Sequence, residues 1–196
     1  MARKEVRYYF AFASPFAALA DSRIDDLVAE AGAVLVPIPL VPPPTTSTPT
    51  GIAAQLQEWK FQYMYEDTER WARKLGLAWK PPQAARVDTT DATAGWYFAR
   101  EKGKERPYRR AVFVARWSEG RDISDREVLT RCAEKAGLDA KEFLEALGTG
   151  RYHEEVPKAF ELAAQDRVFG VPLFVVDGKR FWGNDRIDFL LEELRG

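Results

Sequence analysis

The chain has one cysteine, Cys132, and one histidine, His153, among its 196 residues. A single sulfhydryl excludes an intrachain disulfide, a two-cysteine redox motif and a cysteine-rich zinc site. A single imidazole excludes sites that need two or more histidines. An excess of either charge is missing too: 29 basic residues stand against 30 acidic ones. A nucleic-acid binder usually shows a basic excess or stripe, so no polyanionic partner is expected. No run approaches the ~18 apolar residues of a spanning helix, so no membrane partner is expected. There is no internal repeat. What is present is 46 % hydrophobic residues, enough for a real core, in a length that suits one domain with an insertion.

The N-terminus imitates a signal peptide: Arg3 and Lys4, then an apolar run from Tyr8 to Ala20 with small residues near Ala18 and Ala20. Arg7, Ser14 and Pro15 interrupt that run, and no disulfide framework follows. Strand, turn and helix explain the same residues better, and the expectation is a cytoplasmic protein.

Residues 6–11 read as a strand. Ser14 then stands at an N-cap position and Pro15 at the first helical position. The helix carries Ala20, Ile24, Leu27, Val28 and Ala31 on one face. Residues 34–40 form a second apolar run, so 6–40 is strand, helix, parallel strand. Pro37 and Pro39 place this second strand at an edge. Residues 41–50 are a loop of prolines, threonines and serine.

A long helical region follows. Ile52, Leu56, Trp59 and Tyr63 share a stripe, continued by Met64, Trp71 and Leu75, and Gly76 ends it. Thr89 or Thr90 caps a helix through Trp96, Tyr97 and Phe98. The next starts at Pro107, with Ala111, Val114, Ala115 and Trp117 inward. Ser124 and Glu127 form a capping box. Asp139 caps a short helix with Phe143, Leu144 and Leu147, and a last one runs over 153–168. The aromatics Trp59, Tyr63, Trp96, Tyr97 and Phe98 read as mostly core, and Cys132 and His153 as structural. From Val171 the period becomes that of strands: 172–176 and 179–182 flank Asp177-Gly178, a two-residue hairpin signal. Asn184 or Asp185 then caps a final helix with Ile187, Leu190, Leu191 and Leu194.

The order is β-α-β, a helical block, then β-β-α. That is an α/β, thioredoxin-like fold with a large all-helical insertion: residues 1–50 and 166–196 make the thioredoxin-like domain and 51–165 the inserted helical one. Phe12-Ala13-Ser14-Pro15-Phe16, Val168-Phe169-Gly170-Val171-Pro172 and Phe181-Trp182-Gly183-Asn184-Asp185-Arg186 resemble the 2-hydroxychromene-2-carboxylate isomerases and the related kappa-class glutathione transferases. Lys60-Phe61-Gln62-Tyr63-Met64, Asp67, Arg70-Trp71-Ala72 and Gly76 resemble the family's first inserted helix. The resemblance covers the whole chain in order.

It implies glutathione as cofactor, a small aromatic or conjugated substrate, and a homodimer. Ser14 stands where disulfide oxidoreductases of this fold place the first cysteine of Cys-x-x-Cys. Its hydroxyl would donate to the sulfur of glutathione and favour the thiolate. Val171, before a cis Pro172, would pair with the cysteinyl part through its backbone. Trp182, Gly183, Asn184 and Asp185 would hold the γ-glutamyl part, Asp185 on its ammonium and Asn184 on its carboxylate. Lys60 would reach the glycyl carboxylate or an acidic substrate, or else merely snorkel on a helix face. The family's basic and amide side chains after the second strand are missing: the loop at 41–50 has no lysine, arginine or asparagine. Arg86 is a substitute for meeting a substrate carboxylate. Three activities stay open: a glutathione-dependent isomerase, a kappa-like transferase, and a non-catalytic thioredoxin-like binding protein.

Overall fold

In the computed structural model, which describes residues 3–42, 49–82 and 86–196, the central element is β1 (Glu5–Phe10). Its side chains alternate as a two-sided strand requires. Val6, Tyr8 and Phe10 enter a large core that runs unbroken from the sheet into the helical block, as far as Phe143 and Leu147. Tyr9 points to the other face, into a smaller core with Leu173 and Val175 that Ala159 and Ala163 cover. The sheet has the order β2-β1-β3-β4. β2 (Val34–Pro39) runs parallel to β1, while β3 (Leu173–Val176) and β4 (Lys179–Trp182) are antiparallel to their neighbours. This is the expected thioredoxin-like arrangement. β2 is an edge strand, where Pro37 and Pro39 remove no essential ladder bond. The β3–β4 turn has positive φ at both Asp177 (49°) and Gly178 (76°), as a type I′ hairpin demands.

Between β1 and β2 the expected single helix is two: α1 (Pro15–Asp21) and α2 (Ile24–Glu30). Side chains compete there for the backbone. Ser22 Oγ donates to the Leu19 carbonyl at 2.8 Å. Arg110 Nη1 donates to the carbonyls of Asp21 (3.1 Å) and Ser22 (2.9 Å). Helix-ending carbonyls thus find partners outside the helix.

The helices between β2 and β3 are α3 (Gly51–Lys74), α4 (Thr90–Glu101), α5 (Glu105–Trp117), α6 (Arg126–Lys135), α7 (Ala140–Gly148) and α8 (Lys158–Gln165), and α9 (Ile187–Arg195) closes the chain. Cys132, on α6, is buried, and burial pushes its thiol up to about 11, so it is inert at neutral pH. His153 Nε2 lies 2.6 Å from Asp91 Oδ1 and ties the segment before α8 to the start of α4. Among the described residues no helix is long and apolar enough to cross a membrane, and no cluster of His, Cys, Asp and Glu could hold a metal ion.

Several local expectations are corrected. Asp125, not Ser124, caps α6, because Ser124 is held by Asp122 Oδ1. Asp88 Oδ1, not a threonine, accepts from the Thr90 N–H. Residues 153–168 are a 3-10 turn (His153–Glu155) and α8. Asn184–Arg186 is a 3-10 turn before α9, with no side-chain cap from Asn184 or Asp185. Trp96, Tyr97 and Phe98 are core, but Trp59 and Tyr63 are exposed with Ile52 and Leu56, so the apolar stripe of α3 faces outward. Val114 and Leu144 also face outward. On α5 Tyr108, Arg109, Val112 and Phe113 turn inward instead. Of the loop at 41–50, residues 43–48 lie outside the described residues.

Arg109 is 1 % exposed and spans Asp21, also 1 % exposed, and Asp25 at 2.6 Å. Removing one partner of a buried pair leaves the other uncompensated, at about 3–5 kcal/mol. Arg109→Ala should therefore lower the urea midpoint by a shift of that size. A loss below about 1 kcal/mol would show that α5 does not anchor α1 through this pair.

Arg7 holds Asp166 with Nε at 2.6 Å and Nη2 at 2.8 Å, and Tyr9 donates to the same carboxylate at 2.5 Å. Burial raises the Asp166 pKa, but the hydrogen bonds from Arg7 and Tyr9 outweigh it and hold the carboxyl below its ordinary value. The unfolded chain therefore takes up this proton first. The stabilisation is complete above the unfolded value of ~3.9 and disappears as pH falls through the lower native value. Asp166→Asn should lower stability at neutral pH and flatten the acid limb of the stability–pH curve. Parallel curves for variant and wild type would refute this.

Candidate active site

Ser14 adopts the extended conformation of an N-cap, with φ −94° and ψ 118°. Its Oγ accepts from the Ala17 N–H at 3.2 Å, so it does cap α1. The same hydroxyl donates to the Val171 carbonyl at 3.3 Å, across 157 residues of sequence. The capping bond uses the oxygen's lone pair. The hydroxyl proton can rotate from the Val171 carbonyl to another acceptor without breaking the cap.

The Val171–Pro172 peptide is cis. The Pro172 carbonyl accepts from the Gly183 N–H at 2.9 Å, which fixes the start of β3 against the end of β4. Gly183 has φ 112°, a region side-chain-bearing residues rarely adopt. A Cβ there would collide with the Asp185 carboxylate. A Cβ on Gly170 would lie 2.8 Å from Trp182 Nε1. Both glycines therefore permit a close approach. Trp182 itself is half exposed and stacks edge-on with Phe169, their ring centres 5.0 Å apart.

These residues surround one cavity of about 280 Å³. Val171, Pro172, Trp182, Gly183, Asn184 and Asp185 all line it. Ser14 does not line it, but its hydroxyl is bonded to Val171, which does. Lys60 is exposed and does not line it. It shares a face of α3 with Asp67, seven residues on, which puts it about 10 Å further along the helix axis. Arg86 is exposed and also outside the lining.

Four lining residues escape the sequence reading as site residues: Phe16, Asp67, Trp71 and Arg186. Asp67 and Trp71 are one turn apart on α3, and α3 packs on α1. Their spacing shows a shared face, but not that the face borders a cavity. The cavity carboxylates have close arginines: Asp185 Oδ2 is 2.8 Å from Arg186, and Asp67 Oδ1 is 3.6 Å from Arg70. Asn184 is 1 % exposed. Its Oδ1 accepts from Arg23 Nη1 at 2.8 Å, and its Nδ2 is buried without a hydrogen-bond partner. A buried amide N–H left unpaired costs about 1–3 kcal/mol. A ligand acceptor in the cavity would remove that cost.

The chemistry available is hydroxyl donation at a helix N-terminus, beside an apolar wall and a polar turn. No sulfur takes part: Ser14-Pro15-Phe16-Ala17 stands where a redox pair would be, and Cys132 is buried elsewhere.

Comparison with known proteins agrees with this architecture. Residues 5–195 match the DSBA-like thioredoxin domain family. The 2-hydroxychromene-2-carboxylate isomerase of Sphingobium xenophagum is 33 % identical over 189 residues, covering 95 % of this chain and 96 % of that protein. A solved structure of 2-hydroxychromene-2-carboxylate isomerase superposes with a TM-score of 0.81 at 25 % identity, covering 97 % of this chain and 94 % of that one. Human glutathione S-transferase kappa 1 is 31 % identical over 88 residues, 41 % of this chain and 39 % of that protein. This chain belongs to the DSBA-like thioredoxin domain family, with the 2-hydroxychromene-2-carboxylate isomerases as its relatives over the full length.

Proposed function

We propose that this protein is a glutathione-dependent isomerase of the 2-hydroxychromene-2-carboxylate isomerase type, with Ser14 as its catalytic residue. The observation that carries the reading is the Ser14 hydroxyl, bonded to the carbonyl of Val171, which lines one cavity with Gly183, Asn184 and Asp185. Three features fit glutathione. The unpaired Asn184 Nδ2 awaits an acceptor. Gly183, without a side chain, lets the Asp185 carboxylate lie close over the backbone at the cavity wall. Asp67 and Asp185 supply carboxylates for an ammonium.

Glutathione supplies a sulfur nucleophile that adds to a conjugated carbon and leaves again unconsumed. Ser14 turns its hydroxyl from Val171 to that sulfur and stabilises the charged form, aided by the N–H groups and dipole of α1. A free thiol near 8.5 is mostly protonated at neutral pH, so each unit of depression raises the reactive fraction about tenfold. Val171 presents backbone groups to an extended peptide, and Asn184 and Asp185 orient its γ-glutamyl end. Phe16, Trp71 and Trp182 give the cavity apolar walls suited to a planar, aromatic-type substrate. The local similarity to the kappa transferase favours a second reading, in which the sulfur stays attached to the product.

Titration calorimetry with glutathione tests the ligand, and ultraviolet absorbance of the bound thiolate against pH tests the residue. The wild type should bind glutathione at millimolar concentration or below, with the thiol pKa depressed. Ser14→Ala should raise that pKa by about one to two units, the equivalent of a hydrogen bond to a charged group. Turnover should fall about 100-fold, the usual cost of one lost donor. An unshifted thiol in the wild type removes Ser14 from the mechanism, and absence of binding favours a non-catalytic protein. Consumption of glutathione in step with product would indicate the transferase.

The outward stripe of α3, Ile52, Leu56, Trp59 and Tyr63, supports the homodimer that the family resemblance implies. Light scattering should give twice the chain mass, and Trp59→Glu should shift the population toward monomer. A monomeric wild type would refute the pairing.

A further inference from the structure

Arg23 is the first residue after the break in the first helix, and three observations set it apart. Its guanidinium reaches the 3-10 turn from behind: Nη1 donates to Asn184 Oδ1 at 2.8 Å and Nη2 to the Asn184 carbonyl at 3.1 Å. Among the described residues its one other hydrogen bond goes to the Leu19 carbonyl, at 3.5 Å. Among the described residues no carboxylate lies within ion-pair distance of it. It also lies under Trp71, a wall of the cavity, 5.8 Å from the ring centre.

We infer that Arg23 is a positioning and specificity-determining residue, which aims the Asn184 amide into the cavity and makes the 183–185 turn select a ligand carboxylate. The inference rests on the glutathione reading, whose γ-glutamyl end carries such a carboxylate beside an ammonium.

The physical case has two parts. First, Asn184 has one carbonyl and one NH₂ on its side chain. Arg23 has only donors, so it can bind only the oxygen. The NH₂ must then point away from Arg23, and it is this nitrogen that is buried and unpaired. Second, Arg23 brings an uncompensated positive charge to the turn. Burial lowers its pKa, and Asp188 opposes this only from beyond contact distance. A half-buried cation whose contacts are all carbonyl oxygens is under-neutralised, and a ligand carboxylate on the far side of Asn184 supplies the missing charge. The Asn184 peptide transmits the effect: a cation on its carbonyl polarises the N–H of Asp185, at the opposite end of the same peptide unit. The cavity thus offers two unlike kinds of group. Asp67 and Asp185 suit an ammonium, and the Arg23–Asn184 unit suits a carboxylate.

The test is a binding cycle read by calorimetry. The ligands are glutathione and γ-aminobutyryl-cysteinyl-glycine, which keeps the thiol and the ammonium and differs only in that the α-carboxylate of the γ-glutamyl residue is replaced by hydrogen. The wild type should prefer glutathione by about tenfold or more, as a hydrogen bond to a charged group implies. In Arg23→Gln that preference should shrink to about threefold or less, while affinity for the analogue changes little. Arg23→Lys should keep an intermediate preference, because it retains the charge and loses the two-pronged fork. A variant that weakens both ligands equally overturns the inference and leaves glutathione binding intact. So does a wild type that binds both ligands alike. A wild type that binds neither overturns the glutathione reading itself, and this inference with it.

Discussion

The buried Arg109 guanidinium, shared between Asp21 and Asp25, is the constraint on which the rest of the molecule depends. It fastens α5 to the end of α1 and the start of α2 with both main partners, Arg109 and Asp21, 1 % exposed. Burial raises the Asp21 pKa, and the second carboxylate, Asp25, adds to that, while Arg109 opposes both. One cation serves two anions, and Arg106 adds a second positive charge, its Nε 3.7 Å from Asp25 Oδ2. Buried ion pairs rarely stabilise a fold more than apolar packing would. Here the geometric consequence matters more. The pair fixes where the helix after β1 must stop, and Arg110 completes the stop by taking the freed carbonyls of Asp21 and Ser22.

That stop has a functional sequel. Had the helix continued through Ser22, Arg23 would follow the helical path instead of standing at a break with φ −142°. The break lets it reach the 3-10 turn that forms the far wall of the cavity. The same short helix presents Ser14 at its other end. Only the eight residues 15–22 therefore separate the Ser14 hydroxyl from Arg23, the support for the turn. The sheet supplies the remaining alignment. β1 lies between β2 and β3, so the segment leading out of β1 and the segment leading into β3 emerge side by side. This is how Ser14 and Val171 meet.

Much of this was legible in the chain, for definite reasons. Strands with alternating or continuous apolar residues, and the Asp177-Gly178 turn, follow from local chemistry, and they were read to within a residue or two. The serine-proline start of α1 follows from capping. Two kinds of feature were not legible. Charged residues in the core are one: Arg109 falls on the inward face of α5, but nothing local says that Asp21 and Asp25 wait there, so Val114 was placed inward instead. The orientation of α3 is the other. Its apolar stripe looked like a core-facing stripe, because periodicity reports a shared face and not the direction of that face. Only Thr68 and Ala72 of this helix are buried, and both lie near its end. Asp67 and Trp71 became site residues for the same reason: the cavity wall is the side of α3 next to its small buried strip.

On the proposed function, the demands on the cavity follow from having an oxygen rather than a sulfur at position 14. A cysteine there would act on a partner disulfide and would need little beyond a helix N-terminus to lower its pKa. A serine hydroxyl has no comparable acidity, and the hydrogen-bond partners of Ser14 among the described residues include no general base to activate it, so in the proposed reaction the nucleophile arrives on the ligand. A ligand that brings the nucleophile must be held at several points, since an error of about 1 Å in its placement can cost about 100-fold in rate. The demand for precision therefore moves away from residue 14 to the groups that grip the ligand. In the proposed complex those are the Gly183–Asp185 turn, the buried amide of Asn184 and the arginine behind it. The loss of one sulfur at the helix start makes the far wall of the cavity as consequential as the helix start itself.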